Sequence, residues 1–277
     1  MGGPELRRWA FRVGYLADGF RGYARQPGLP TVEGLVREGL ASRGMMEEPS
    51  AHFQTASRTD RGVHAAGNVI ALSTVRPGPT VARALNALDP RIFCWGFAPV
   101  PAGFSPRAAR ARWYRYFEPA APSALPAYGE GAALFVGEHD FSSFGRRDDP
   151  PREARRLLQE LSVTPRGEFL VLDLKAPSFL WGQVRKTVSA LRGLAAGRLT
   201  RKEVQEALRG ERRLSLPLAE PDPLLLVEVD VGVPFQPLDR PGVLPLRFWE
   251  EGARSARLRS TLLGEFKERV LPGRSDP

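Results

Sequence analysis

One cysteine, Cys94, and three histidines, His52, His64 and His139, leave this 277-residue chain short of the groups that close disulfides or bind soft metals. A lone cysteine excludes an internal disulfide, and the set cannot build a Cys/His zinc constellation. No apolar run reaches the roughly 20 residues that a membrane-crossing helix needs. The opening MGGPELRRWAF lacks the apolar centre of a secretory leader. The expectation is a cytoplasmic protein with no metal and no membrane. Acidic residues are also in deficit: 31 Asp and Glu against 40 Lys and Arg leave a formal charge of +9. Such a field attracts polyanions and speeds their arrival, and nucleic acid is the usual polyanion. Most of the cations are arginine, which forks onto phosphate and stacks on bases. Arginine simply replacing lysine on an ordinary surface is the plainer alternative, and charge by itself does not separate the two.

What the sequence does contain is one order of elements written twice. WAFRVGYL (9–16) is an apolar, β-rich run. TVEGLVREGLASRG follows, with Val32, Leu35, Val36 and Leu40 on one helical face and Gly44 as its stop. HFQTAS and NVIALST read as strands around the loop SRTDRGVHAAG (57–67), TVARALNAL (80–88) as a helix and IFCWGFAPV (92–100) as a strand. The second round opens with the strand RWYRYFE (112–118) and a Pro/Ala/Gly-rich connection over 119–131. AALFVGEHDFSSF (132–144) reads as a helix with its trailing loop. LQELSVT and EFLVLDLKA are strands about the turn 165–167, with Leu170, Leu172 and Leu174 on one face of the second. A long helix covers 178–196, Thr200 and Glu203 form a capping box for another, and LLLVEVDV (224–231) closes the set. The predicted class is therefore α+β, two βαββαβ (ferredoxin-like) halves over 1–105 and 106–240. They are expected to join into one extended antiparallel sheet, with helices on one face and an RNA-binding cleft on the other. Residues 241–277 are expected to form a helical tail, whose Leu258, Leu262 and Phe266 dock on the core by default, a contact with a second copy or with RNA being the other reading.

In the loop SRTDRGVHAAG, Asp60 stands between Arg58 and Arg61 before the chain turns apolar again. Asp and Gly favour turns for local backbone reasons, so a solvated turn is one reading. A carboxylate kept ionised by nearby cations and presented for chemistry is the other. The loop does not stand alone. YLADGFRGYARQ (15–26), WYRY around Tyr114, GEHDFSSF (137–144), SFLWGQVRK (178–186) and DPLLLVEV around Leu224 accompany it in order. Taken together, these six segments resemble the TruA family of tRNA pseudouridine synthases. The pattern departs at Tyr23 and Ala24, where bacterial members usually carry Trp-Gln, and at Pro223, which replaces a glycine.

The resemblance implies a reaction: the bond from ribose C1′ to uracil N1 breaks, the base turns, and C1′ is rejoined to C5. This isomerisation needs no cofactor. Asp60 falls at the nucleophile position, Arg185 at that of its ion-pair partner, and Tyr114 at that of the residue abutting the target base. Leu224 falls on the wall of the base pocket. Arg58 is expected to fill the space left by an everted base, to hold a flanking phosphate, or to serve as a second partner for Asp60. Arg25 and Gln26 are expected on the RNA backbone, whereas His64, His139 and Asp140 read as packing or loop-stabilising residues. The family further implies a homodimer and a target in the anticodon stem-loop of tRNA, at positions 38 to 40. Two other readings keep the same fold. A non-catalytic RNA-binding protein would need the arginines but not Asp60 together with Arg185. An enzyme for a small molecule would gain nothing from the charge of +9.

Overall fold

The computed structural model describes residues 5–47, 51–146, 154–238 and 243–270. Strand β1 (Arg7–Tyr15) buries Ala10, Phe11, Val13 and Tyr15. Helix α1 (Val32–Ser42) starts where the Thr31 hydroxyl accepts the Gly34 amide at 3.2 Å, and it lays Val32, Val36 and Leu40 on the core. A two-residue β2 (Gln54–Thr55), the long β3 (His64–Thr74), α2 (Gly78–Asn86) and β4 (Ile92–Pro99) complete the first round. The second runs β5 (Ala111–Pro119), α3 (Leu125–Ala133), β6 (Gly137–Asp140), β7 (Arg155–Leu158), β8 (Glu160–Arg166) and β9 (Phe169–Ala176). Helices α4 (Gln183–Ala195) and α5 (Arg201–Leu208) follow, then β10 (Leu224–Asp230) and β11 (Gln236–Pro237). The last element is α6 (Val243–Val270). The capping box read from Thr200 and Glu203 is present at the start of α5.

The main sheet has the order β11-β4-β1-β3-β10-β5-β9-β8, with β2 also on β3. Within it β4-β1-β3-β2 and β10-β5-β9-β8 repeat one arrangement: fourth strand beside first, then third, then second. The seam departs from the antiparallel pattern, because β10 meets β3 in parallel, only at Leu225↔His64 and Leu226↔Ala65. β2 occupies the other end of that same edge, opposite Ala71 and Ile70. The loop joining β2 to β3 is thus delivered to the place where one round of strands gives way to the next.

Each round has its own apolar core, one around Phe11, Ile70 and Leu85, the other around Phe135, Leu172 and Leu191, and Tyr114 packs against both. On β9 the expected alternation holds, with Leu170, Leu172 and Leu174 buried together. The expected helix over 132–144 is replaced by an earlier one, α3, in what reads as a connection. Pro126 is harmless in its first turn, where the missing amide has no intrahelical role. Gly131 lets the helix approach α4, since a Cβ there would lie 2.9 Å from Leu191. Gly137, at φ +113°, then stops any helical continuation, and β6 pairs with β7. The tail is helical but does not dock as expected. Trp249 meets Phe93 edge-on at 4.6 Å, whereas Leu258 and Leu262 are 61% and 48% exposed. The side chain of Phe266 and residues 271–277 lie outside the described residues.

A further correction concerns the cleft. Along β5, Arg112, Tyr114, Tyr116 and Glu118 share one side of the strand. On that side Tyr116 and Glu118 meet Arg192 of α4, and Glu118 meets Tyr128 of α3. Arg112 and Tyr114 line the cavity described next, so it opens on the helix-bearing face rather than the opposite one. There α1 packs with α2 and α3 with α4, each pair over its own strands.

Candidate active site

A cavity of about 640 Å³ sits at the seam, lined by the 55–60 segment, Tyr114, the start of α4 and Leu224. The loop that carries Asp60 is fixed from behind. Buried Asn68 accepts the amides of Ser57 and Val69 through Oδ1, and its Nδ2 donates to the Ser57 carbonyl at 2.8 Å. Tyr15 Oη lies 2.8 Å from Thr59 Oγ1, and the Tyr23 amide donates to the Thr59 carbonyl at 3.1 Å. Gly22, at φ +106°, sits so close that a Cβ would come within 3.3 Å of the Arg61 amide nitrogen. The segment 15–23 is therefore a brace for the Asp60 loop.

Opposite the loop, Gly182 takes the left-handed conformation, φ 72°, and starts α4. Gln183 Oε1 accepts the Leu180 amide at 2.7 Å and ties that turn. One turn on, Arg185 donates from Nη1 to Asp60 Oδ2 at 3.0 Å and from Nε to the Ala219 carbonyl at 2.6 Å. The pair is mostly sheltered, its side chains 12% and 21% exposed. Two separately aimed donors leave the guanidinium little freedom, so it presents Asp60 in one orientation.

Tyr114 borders the same cavity and packs edge-on against Phe179 at 5.3 Å. Burial above all pushes its hydroxyl up to about 12, with nearby Arg112 acting in the opposite sense. It therefore keeps its proton throughout the neutral range. Leu224, 4% exposed, forms an apolar wall. Arg58 is exposed at the mouth and makes no hydrogen bond or ion pair among the described residues. Of the roles left open for Arg58, a second pairing with Asp60 is not seen; Asp60 pairs with Arg185.

The structure does not bring Arg25 and Gln26 to this cavity. Both are exposed between β1 and α1; the Arg25 guanidinium is 4.0 Å from Glu38, and Gln26 Nε2 donates to the Arg21 carbonyl. His64 accepts the Ala17 amide at Nδ1, which leaves Nε2 facing Asp222 Oδ1 at 3.4 Å. Asp140 accepts the Ser142 amide, a local loop bond.

Arg112 and Trp181 are among the lining residues that the sequence reading did not single out. Arg112 is 9% exposed and has no carboxylate partner among the described residues; it donates to Ser57 Oγ and to the carbonyls of Ala56, Arg107 and Pro177. Burial lowers its pKa, and its fork joins β5 to the Asp60 loop. Trp181, 46% exposed, offers an aromatic face beside the cavity. A hint existed for Arg112 alone, an arginine at an inward position of an apolar strand. In all, four arginines and a single carboxylate line the cavity, a balance that suits a phosphate-bearing ligand.

Comparison with known proteins places this geometry among relatives. A family profile described as tRNA pseudouridine synthase matches residues 132–230, the stretch holding Arg185 and Leu224. The tRNA pseudouridine synthase A of Pyrococcus abyssi is 38% identical over 232 residues, covering 82% of this chain and 86% of its own. That of Thermococcus kodakarensis is 38% identical over 263 residues, covering 93% and 97%. That of Pyrococcus furiosus is 34% identical over 268 residues, covering 95% and 98%.

Proposed function

The chain belongs to the tRNA pseudouridine synthase A (TruA) family, and from that premise we propose that it converts uridine to pseudouridine in the anticodon stem-loop of tRNA, with Asp60 as nucleophile. Its reaction is an isomerisation on tRNA. The C1′–N1 bond of the target nucleotide breaks, a C1′–C5 bond forms, C5 loses its proton and N1 ends with one, so the atoms balance without a co-reactant. A carboxylate suits the first role because it can add to a sugar carbon and later leave. The single observation that carries the reading is the 3.0 Å pair of Asp60 and Arg185 beside a nucleotide-sized cavity. A module that only bound RNA would have no use for a sheltered carboxylate among phosphate-binding arginines.

The target lies in a stacked stem, so it must leave the stack before Asp60 can reach C1′. Leu224 and the Tyr114 ring form the walls for the everted base, and contact with an aromatic ring stabilises a base by about 1–3 kcal/mol. Arg58, free at the mouth, holds a flanking phosphate or fills the vacated space. Arg25 and Gln26, away from the cavity, touch the backbone farther along the RNA. Residues 1–105 and 106–240 act as the two units that enclose the substrate, with 241–277 a tail outside them. The enzyme works as a homodimer in the cytoplasm and needs neither cofactor nor metal.

The test is tritium release from uracil-C5-labelled tRNA, followed by mapping of the modified nucleotides. Release with pseudouridine at one or more of positions 38 to 40 is expected. Release with modification elsewhere would refute the stem-loop assignment. Binding without release would favour the non-catalytic reading.

A further inference from the structure

Between α4 and the Asp60 loop runs a six-residue strap, AEPDPL (219–224), that ends in the base-pocket leucine. Pro221 and Pro223 remove two of its backbone donors and fix their own φ angles, so residues 219–223 stay outside the sheet, which the strap enters only at Leu224, and rely on other ties. Those ties reach every part of the site. The Ala219 carbonyl accepts Arg185 Nε at 2.6 Å. Pro221 covers Gly62 of the catalytic loop so closely that a Cβ there would sit 2.9 Å from its Cγ. Asp222 lies 3.4 Å from His64.

Glu220 is tied to Arg192, which stands seven residues beyond Arg185 on α4 and so on the same side of the helix. Its Nη1 donates to Glu220 Oε2 at 2.7 Å, and the Tyr116 hydroxyl donates to the same oxygen at 3.3 Å. Arg192 is itself fixed, since it forks onto both oxygens of buried Glu118 at 2.8 and 2.9 Å. Glu118 in turn accepts the Tyr128 hydroxyl at 2.8 Å.

We propose that Arg192 and Glu220 are positioning residues for the isomerisation: their ion pair fixes the strap so that the Ala219 carbonyl holds Arg185 Nε and leaves Nη1 for Asp60. Neither touches the cavity. They act through the strap, on the arginine that orients the nucleophile and on the leucine that walls the base. The inference rests on the reading of Asp60 and Arg185 as the reacting pair. Small errors in such placement are costly, since a shift near 1 Å can cost about a hundredfold in rate.

Arg192→Met is a poor test, because buried Glu118 would be left unpaired and folding would suffer. Glu220 has a 65% exposed side chain, so Glu220→Ala cuts the strap's tie and spares the interior. Expected for Glu220→Ala in the tritium-release assay is a fall in kcat of about tenfold, with KM for tRNA and Tm at wild-type values. Glu220→Gln, which keeps an acceptor for Arg192, should recover part of that loss. The inference is overturned if Glu220→Ala keeps kcat within twofold of wild type. It is equally overturned if the loss appears in KM, or only together with a lower Tm, because the strap would then serve binding or stability alone. Failure of the wild-type chain to release tritium would instead sink the assigned activity, so the two failures are distinguishable.

Discussion

Asp60 and Arg185 are 125 residues apart in the chain and 3.0 Å apart in space. Local sequence points elsewhere, since Arg58 and Arg61 flank Asp60 at two positions and one. Both flanking side chains turn to solvent, while Arg185 arrives sheltered on α4. Residue type and motif order made the pairing legible; nothing in the loop alone did. The consequence for mutation is an asymmetry. Asp60→Asn keeps size and shape but not the charge that the proposed nucleophile needs, so turnover should fall on the order of a thousandfold or more while tRNA affinity holds. Arg185→Lys keeps the charge but cannot serve Asp60 and the Ala219 carbonyl with two fixed donors. It should lose about a hundredfold in kcat, close to the loss from Arg185→Ala. Single-turnover rates and a binding isotherm check this, and a lysine variant as fast as wild type would show that charge alone suffices.

At the scale of elements, the strands β1, β4, β5, β9 and β10 and the helices α1, α2 and α5 were legible, because period and end signals agree there, whereas α4 starts at Gln183 rather than at the expected 178, behind left-handed Gly182. Misreadings arose where tertiary contact overrides local signal. Helix α3 was hidden by Pro126, Gly129 and Gly131, yet the last of these is what lets it pack on α4. The parallel seam of β3 with β10 joins residues about 160 apart and leaves no periodic trace. Leucines in α6 suggested docking, but spacing cannot say whether a partner surface exists. The arrangement of loop against strap makes one glycine decisive. Gly62 has φ +83°, a conformation that costs a residue with a Cβ roughly 1–2 kcal/mol, and that Cβ would also press on Pro221. Gly62→Ala should therefore lower stability by about that amount in chemical denaturation. It should lower kcat by more than the lost stability explains, because the strap moves with it. A variant that loses stability but keeps full kcat would show that the strap tolerates displacement.

For the molecule as a whole, the cavity is divided between two cores: the first round of strands presents Asp60, while the second supplies Arg185, Tyr114 and Leu224. The tyrosines are shared between those cores, Tyr15 and Tyr23 in one, Tyr116 and Tyr128 in the other and Tyr114 against both, so their titration reports on the packing of each. All five tyrosines, Tyr15, Tyr23, Tyr114, Tyr116 and Tyr128, have raised pKa values with burial as the foremost cause, Tyr114 and Tyr116 to about 12. Burial likewise pushes the Cys94 thiol up to about 12. A group that holds its proton more tightly when folded contributes stability that is complete below its unfolded pKa, near 10 for tyrosine. That contribution is lost as pH rises through the folded value. Arginine keeps its charge across this window, so loss of cations is a minor competing cause. The folded protein should therefore show little tyrosinate absorbance up to about pH 10.5, where free tyrosine is more than half ionised. The five should then ionise together, in step with the loss of near-ultraviolet dichroism. A gradual absorbance rise centred near pH 10 with the dichroism intact would mean that the tyrosines reach water in the folded state, and that the two cores are looser than their packing implies.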